Sequence, residues 1–576
     1  MFTDMPTHVK QPEHDTGAPA PIARLYEDIL LKIFLENTAK TYSWKRLTTA
    51  RHTSQVCQRW RTMMIHSPSI WGKLIDLDDL GYSTDDWFRE VISRAGQALL
   101  WIAGPIKTWN QRTAPDSILT FVSQNWENVQ RFDVSDFHRY PPSEEDKNDS
   151  DRRQYWTTLL ARRAPNLEEF VFHFAASHHD ILSDEPWSPE PWLLPSPLFD
   201  AHAPVLTTFE AYRFSDTQYN STFTMDMPLS WFSRLRSFRL KQSVDLPQLL
   251  TILNMVPFLE DLEIHGTASS FTGHLEHNTI SMVALSRLES IRLESWTLFD
   301  IAPFLNRISP SAGCCLSLLH PDLSSIDNLD SDKMTHLEEV IMQYVEDYFA
   351  NHPATQLYVS NDGTYLKLQD RSHSRTRLLL HIWIFISKVD TSIVQNLLTA
   401  PFFFSVRELD LQNFQDIHLY SFSAFSSVTT LVMELDSFSS LQRGEQHNMF
   451  PQLRIVKVGE KNDFIQATLR SIYREPIYMF LKQRRDIGRP LTVLDLSALS
   501  PAALLCDLDN IEEFTGLVVR WLSFNRTDGV RIKEYKCGTG RQEELCFREE
   551  PMWKPGTSGS YGYPVFLHKD GWSGEI

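Results

Sequence analysis

The chain has 576 residues, 42% of them apolar, and its 73 acidic against 55 basic residues give a formal net charge of −18. That length exceeds one ordinary globular core, so several domains or an elongated array of small units is expected. The acid excess disfavours binding that rests on neutralising phosphates, so no nucleic-acid partner is expected. Met1–Ala20 combines Pro, His, Thr and Asp with no apolar run, which reads as a disordered N-terminus rather than a secretory signal. The strongest apolar run, Leu378–Phe385, is too short to span a bilayer, and no membrane partner is expected. Cysteines at 57, 314, 315, 506, 537 and 546 lack the paired two-residue spacings of zinc sites. Reduced thiols in a cytoplasmic or nuclear protein, without metal or cofactor, are the expectation.

Residues 21–75 read as a small helical module. Leu25, Ile29, Leu30, Ile33 and Phe34 recur at steps of one, three and four residues, which places them on one stripe of a helix with Asp28, Lys32 and Glu36 outside it. Ser43 can cap a second helical segment in which Leu47, Val56, Trp60, Met63 and Met64 fall near one face, and Pro68 marks where that segment has stopped. Roughly fifty residues is near the lower limit for an independent core, so the rest of the chain or a partner must supply part of the burial.

Four fragments stand in order along this module: Leu25-x-x-Asp28-Ile29-Leu30, Ile33-Phe34, Val56-Cys57-x-x-Trp60-Arg61 and Pro68-Ser69-x-Trp71. The series resembles the F-box, a three-helix module that docks on the Skp-type adaptor of cullin-RING ubiquitin ligases. Tyr26 stands where that family usually has Pro, and Asp28 where it usually has Glu. The lost Pro removes a preset helix start and predicts a weaker grip on the adaptor. The resemblance implies adaptor contacts at Leu25, Ile29, Leu30, Ile33, Phe34, Val56, Trp60, Pro68 and Trp71.

From residue 76 to 524 a loose repeat dominates: an apolar residue, two variable ones, then two apolar residues in alternation. It starts at Val129, Leu167, Leu206, Leu235, Leu259 and Leu288, and again at Val406, Val428, Leu453 and Leu491. Successive starts are 38, 39, 29, 24, 29, 118, 22, 25 and 38 residues apart, close to leucine-rich-repeat spacing except at one gap. Chance alone meets the pattern at roughly 7% of starts, so periodicity and context must carry it. Pro165, Pro204, Pro257 and Pro451 each precede a motif by two residues, which fits a loop that ends one helix before the next strand. One short strand buries about three side chains, each worth roughly 1.5–3 kcal/mol, too little to order some thirty residues, so neighbours must stack. The expected fold is therefore α/β: the F-box-like module followed by a curved solenoid with parallel strands on its concave side and helices such as Leu246–Met255 and Ile301–Ile308 outside. The combination resembles the large F-box families of mushroom-forming fungi.

The gap at about 310–400 reads as an interruption. Met334, Leu337, Val340, Ile341, Tyr344, Val345 and Tyr348 form a helical stripe, and a hairpin is predicted from Gln356–Val359 and Tyr365–Leu368 with its turn at Asn361–Gly363. His138–Arg153 is charged and reads as a mobile loop, Asp184–Pro204 as a proline-rich surface insertion, and 525–576 as a partly ordered tail. The basic run Lys482–Arg485 reads as a solvated helix face.

No phosphate loop, nucleophile elbow or helical His-Glu-x-x-His occurs, and neither His178-His179-Asp180 nor His568-Lys569-Asp570 has the supporting spacings of a metal or phospholipase-type site. Binding, not catalysis, is the expected role. The third, fifth and seventh motif positions should face outward, which nominates Ser237, Arg239 and Lys241, then Asp261, Glu263 and His265, then Ser290, Arg292 and Glu294, and finally Glu408, Asp410 and Gln412 as contacts for a protein target. The resemblance implies a substrate receptor that bridges a target to the Skp-type adaptor and, through it, to cullin. An adaptor-bound scaffold without ligase activity is the alternative, and an enzyme on a repeat scaffold would need a deep pocket with converging ionisable groups.

Overall fold

A computed structural model describes residues 25–39, 43–107, 115–139, 148–177, 194–214, 230–241, 244–265, 282–296, 298–319, 331–361, 365–372, 378–383, 392–414, 420–441, 449–459, 474–499, 508–525 and 529–547. It is a mixed α/β protein whose described residues fall in two compact units, one drawn from within 1–354 and 363–397 and the other from within 355–362 and 398–576.

The first unit opens with α1 (Glu27–Ala39), α2 (Ser43–Ser54), α3 (Gln58–Ile65) and α4 (Pro68–Gly72). Cys57 caps α3 by accepting the Trp60 N–H at 3.5 Å, and Pro68 begins α4, where a helix makes no use of the missing N–H. Leu30 and Phe34 turn inward from α1, and the Phe34 ring meets Trp60 edge-on at 5.0 Å. Trp71 is buried and donates its indole N–H to the Met64 carbonyl at 2.7 Å. β1 (Ile75–Asp76), α5 (Leu77–Gly81) and α6 (Asp85–Ala95) lead into the sheet. Thr84 caps α6 on the Trp87 N–H, Asp85 and Asp86 complement its N-terminus, and Gly96 ends it at φ +53°.

Strands and helices then alternate: β2 (Leu100–Lys107), α7 (Pro115–Gln124), β3 (Val129–Arg139), α8 (Asn148–Leu160), β4 (Glu169–Ser177), β5 (Thr208–Phe214), β6 (Ser237–Lys241), α9 (Leu246–Asn254), β7 (Asp261–His265), β8 (Val283–Leu285), β9 (Ser290–Glu294), α10 (Leu298–Leu305), β10 (Ile308–Pro310), β11 (Cys315–Leu319) and α11 (Ser331–Asn351). β12 (Gln356–Asn361) belongs to the second unit, whereas β13 (Tyr365–Asp370) and β14 (Leu379–Trp383) belong to the first. β1 to β7, β9, β11 and β14 pair in parallel succession, and β13 joins β14 antiparallel. β8 and β10 form a separate parallel pair.

Register follows the sequence motif. Ile102, Phe132, Phe170, Phe209, Phe238, Leu262, Ile291 and Leu316 stand side by side on consecutive strands, and all are buried. The Phe rings at 132, 170, 209 and 238 stack at successive centroid separations of 5.8, 5.5 and 5.8 Å. Each such side chain contributes roughly 1.5–3 kcal/mol of burial, but only because its neighbours on both sides repeat it.

The second unit follows the same logic. After α12 (Ser392–Thr399), which spans the boundary between units, come β15 (Glu408–Asp410), β16 (Thr430–Glu434), α13 (Ser437–Leu441), β17 (Ile455–Gly459), α14 (Arg474–Asp486), β18 (Val493–Leu496), β19 (Val518–Asn525) and β20 (Gly529–Lys536). β12 and β15 to β19 pair in parallel, aligning Leu357, Leu409, Leu431, Val456, Leu494 and Val519 in one buried row. β20 closes the order antiparallel to β19. Among the described residues no sheet closes into a barrel, and no helix is long and apolar enough to cross a membrane.

All ten motif strands form, nine of them beginning at the third motif position. The stripe Leu337, Val340, Ile341, Val345 and Tyr348 is the buried face of α11. Several expectations need correction. The ladder does not break at residue 310, because β11 pairs with β9 and with β14. The helix expected at Ile301–Ile308 lies at Leu298–Leu305, since Ile308 is taken up by the β8–β10 ladder. Part of the loop expected over His138–Arg153 is regular: β3 runs to Arg139 and α8 starts at Asn148. The cause is Asp136, fully buried on β3, which draws the Arg152 guanidinium to 3.2 Å and the Trp156 indole N–H to 2.6 Å. Arg484, expected on a solvated face, is buried and donates to the Met449 and Leu453 carbonyls at 3.1 and 3.3 Å. β20 lies within the segment 525–576 read as a partly ordered tail, whose residues 548–576 are outside the described ones. The segment 1–20, residues 362–363 of the expected turn and residues 184–193 lie outside the described residues. The described remainder of the expected surface insertion, 194–204, is not all surface, since Leu198, Phe199 and Ala203 are buried.

Candidate functional site

Two surfaces collect the residues nominated from the sequence. The first is the N-terminal helical module. On α1, Ile29 and Ile33 lie about 100° around the axis from Leu30 and Phe34, and the fold separates the two pairs: the second is sealed inside, while Ile29 is 41% and Ile33 38% exposed. Tyr26, one turn before Ile29, is exposed as well, as are Val56, at 62%, and Pro68. Leu25 and Trp60 are half-buried, and Trp71 is buried. Leu30, Phe34 and Trp71 therefore act from within, fixing the helices, rather than as contact atoms. Arg59 holds the start of the module together, donating to the Leu25 carbonyl at 2.8 Å and lying 3.9 Å from Glu27. An open groove of about 640 Å³ lies beside this contact, bordered by Glu27, Asp28, Leu31, Arg59, Thr62 and Met63.

The second surface is the polar side of β5, β6, β7 and β9. Strand register sets Glu210, Arg239, Glu263 and Arg292 in one row of alternating charge, with Tyr212, Lys241, His265 and Glu294 in the next. Arg239 is the hub. Its Nε and Nη2 donate to one Asp261 oxygen at 2.9 and 2.8 Å, its Nη1 reaches Glu210 at 3.3 Å, and Glu263 lies 3.8 Å from Nε. Arg292 approaches Glu263 at 3.5 Å, His265 contacts Glu294, and Lys241 caps the Tyr212 ring at 4.0 Å.

Burial sets the electrostatics of this row. It pushes the Glu263 and Glu294 carboxyls above the ordinary range. It would raise Glu210 too, but hydrogen bonds from His173 and Tyr212 and the charge of Arg239 hold that carboxyl below its usual value. Burial opposes the Arg239 charge, yet Asp261, Glu210 and Glu263 together raise its pKa. The result is a preorganised mosaic in which opposite charges already satisfy one another.

Arg239, Lys241, Asp261, Glu263, His265, Arg292 and Glu294, nominated singly, thus form one cluster. Glu408 and Asp410 lie in the second unit and do not belong to it: Glu408 pairs with Lys457 at 3.1 Å, and buried Asp410 turns back to accept the Gln412 N–H at 3.0 Å. Glu210, Tyr212 and His173 were not nominated. Glu210 and Tyr212 occupy the fifth and seventh positions of the Leu206 motif, so the same counting finds them. Compared with known proteins, the chain matches no family model and no curated protein.

Proposed function

We propose that this chain is the substrate-recognition subunit of an SCF-type cullin-RING ubiquitin ligase, docking on a Skp-type adaptor through its F-box-like module and presenting a protein target from the polar side of a leucine-rich-repeat-like solenoid. The observation that carries the reading is the divided stripe of α1: Leu30 and Phe34 complete an internal core, while Ile29 and Ile33 remain partly exposed to solvent, with Val56 exposed at the approach to α3. Exposed branched apolar residues at helical spacing are the pattern expected of a surface covered by a second protein. The chain would work by proximity, holding a target lysine near a ubiquitin-loaded enzyme in the cytoplasm or nucleus and raising its effective concentration.

The test is co-purification of the full chain with a Skp-type adaptor. Ile29→Asp and Ile33→Asp should each abolish capture while the protein remains folded. Failure of the wild-type chain to bind, or binding undiminished in both variants, overturns the proposal. Cullin recovered in the same complex, with ubiquitin transferred to a bound target, separates the receptor from a scaffold without ligase activity.

A further inference from the structure

We propose that Glu263, His265 and Glu294 form a binding site for one divalent first-row transition-metal ion of the Zn²⁺ type on the polar side of the first unit's sheet. One ligand atom from each residue lies within 4.8 Å of the other two. Ligand atoms around a tetrahedral zinc, at about 2.0–2.2 Å from the ion, stand roughly 3.3–3.6 Å apart. The remaining gap is within reach of side-chain torsions.

The backbone already supplies the convergence. Glu263 and His265 are two residues apart on β7 and project to the same side, and His265 is directly opposite Glu294 on β9. A one-residue slip of either strand would scatter the set, and register here is fixed by the buried Leu262, Ile264, Ile291 and Leu293 on the other face.

The donor set selects the ion. Carboxylates alone suit hard ions such as Mg²⁺ or Ca²⁺, whereas one imidazole with two carboxylates suits zinc and its neighbours in the first transition row. Three protein ligands leave a coordination position for water. Glu263 is buried, so a bound cation would act in a low-dielectric setting.

A bound ion would exchange existing pairs for its own, since His265 already contacts Glu294. Arg239 and Arg292 both address Glu263 at Oε2, at 3.8 and 3.5 Å, and Arg239 makes its short bonds to Asp261 instead. Lys241 lies over the Tyr212 ring. The site is independent of the ligase reading, since it requires no adaptor and no target.

The experiment uses the full chain, stripped with a chelator and titrated with Co²⁺ while visible absorption is followed, then with Zn²⁺ as competitor. Wild type should take up one equivalent of Co²⁺ with d–d bands of a four- or five-coordinate site, and Zn²⁺ should displace it. His265→Gln and Glu294→Gln should each weaken binding by roughly tenfold or more, whereas His336→Gln, on exposed α11 surface away from the cluster, should bind as wild type. Circular dichroism checks the fold, and if His265→Gln does not fold, Glu294→Gln carries the comparison. No stoichiometric site in the wild type, or one indifferent to these ligand substitutions, overturns the proposal.

Discussion

Arg46 on α2 and Asp76 at the end of β1 are buried against one another, with Nη2 3.9 Å from Oδ2. Arg46 also donates to the Lys73 carbonyl at 3.1 Å, while Asp76 accepts the Asp78 and Asp79 N–H groups and so caps α5. One carboxylate thus joins the helical module to the first strand and starts the next helix. Removing it leaves a guanidinium in a site whose burial already lowers its pKa. Asp76→Ala should therefore cost about 3–5 kcal/mol for the orphaned charge, with about 1 kcal/mol more for the lost cap. Arg46→Met should cost clearly less, because Asp76 keeps its two backbone donors. Urea unfolding of both variants measures the asymmetry, and equal losses would contradict it.

Asp79 gives the same region a pH dependence. Burial, and then the charges of Asp76 and Asp78, push its carboxyl up to about 6 from an ordinary 3.8. Between those values the folded state holds this proton more tightly than the unfolded chain does. The stabilisation is therefore complete below the ordinary value and is lost as pH rises through the folded one. Asp79→Asn removes the dependence. At pH 7 the variant should be more stable than wild type by roughly 1 kcal/mol, after allowing for solvent screening, and the advantage should vanish toward pH 4. Melting temperatures across that range decide it; a constant offset would show that Asp79 does not titrate in this way.

The Arg239 hub predicts the opposite slope. Glu210 and Glu263 are only 6% and 5% exposed, and Arg239 is a cation common to both. Arg239→Met should destabilise the folded chain by about 2 kcal/mol at pH 7, less than a fully buried pair because the guanidinium is partly exposed. Glu210 is held below its ordinary value in the wild type, so its contribution is present at neutral pH and lost as pH falls. The difference between variant and wild type should accordingly shrink as pH drops toward 4. Thermal unfolding at neutral and acidic pH reads it directly.

Much of the sheet was legible because its signal is periodic: the row containing Phe170, Phe209, Phe238, Leu262 and Ile291 is one motif position repeated. β11 and β19 share the frame, as Gly313-x-x-Leu316-x-Leu318 and Gly516-x-x-Val519-x-Trp521, yet glycine replaces the opening apolar residue in each. Those glycines sit at φ +74° and +97°, so a left-handed turn rather than hydrophobicity sets the position, and an apolar pattern cannot detect it. α8 was hidden for a different reason. Its start is polar, and the buried charge that anchors it, Asp136, lies on another element. The polar cluster was legible as a set of outward residues, but not as a network, because the pairing of Arg239 with Asp261 and Glu210 depends on register between strands more than twenty residues apart. Nor could periodicity say which half of the α1 stripe stays uncovered, since adjacent residues of a helix differ by only about 100°.

That division of α1 separates stability from docking. Leu30 and Phe34 are sealed, and Phe34 also supports Trp60. Leu30→Ala should cost about 2–5 kcal/mol, and Phe34→Ala about 3–5 kcal/mol, in unfolding experiments. Ile29 and Ile33 bury much less on the isolated chain, so Ile29→Ser and Ile33→Ser should change stability by no more than about 0.5 kcal/mol each. Under the receptor reading they should nevertheless weaken adaptor capture, whereas Leu30→Ala should weaken it only in proportion to the unfolded fraction, and recover when assayed at low temperature. If instead the two serine variants unfold the module as readily as the alanine variants do, the exposed isoleucines belong to the core, and the docking surface must be sought elsewhere.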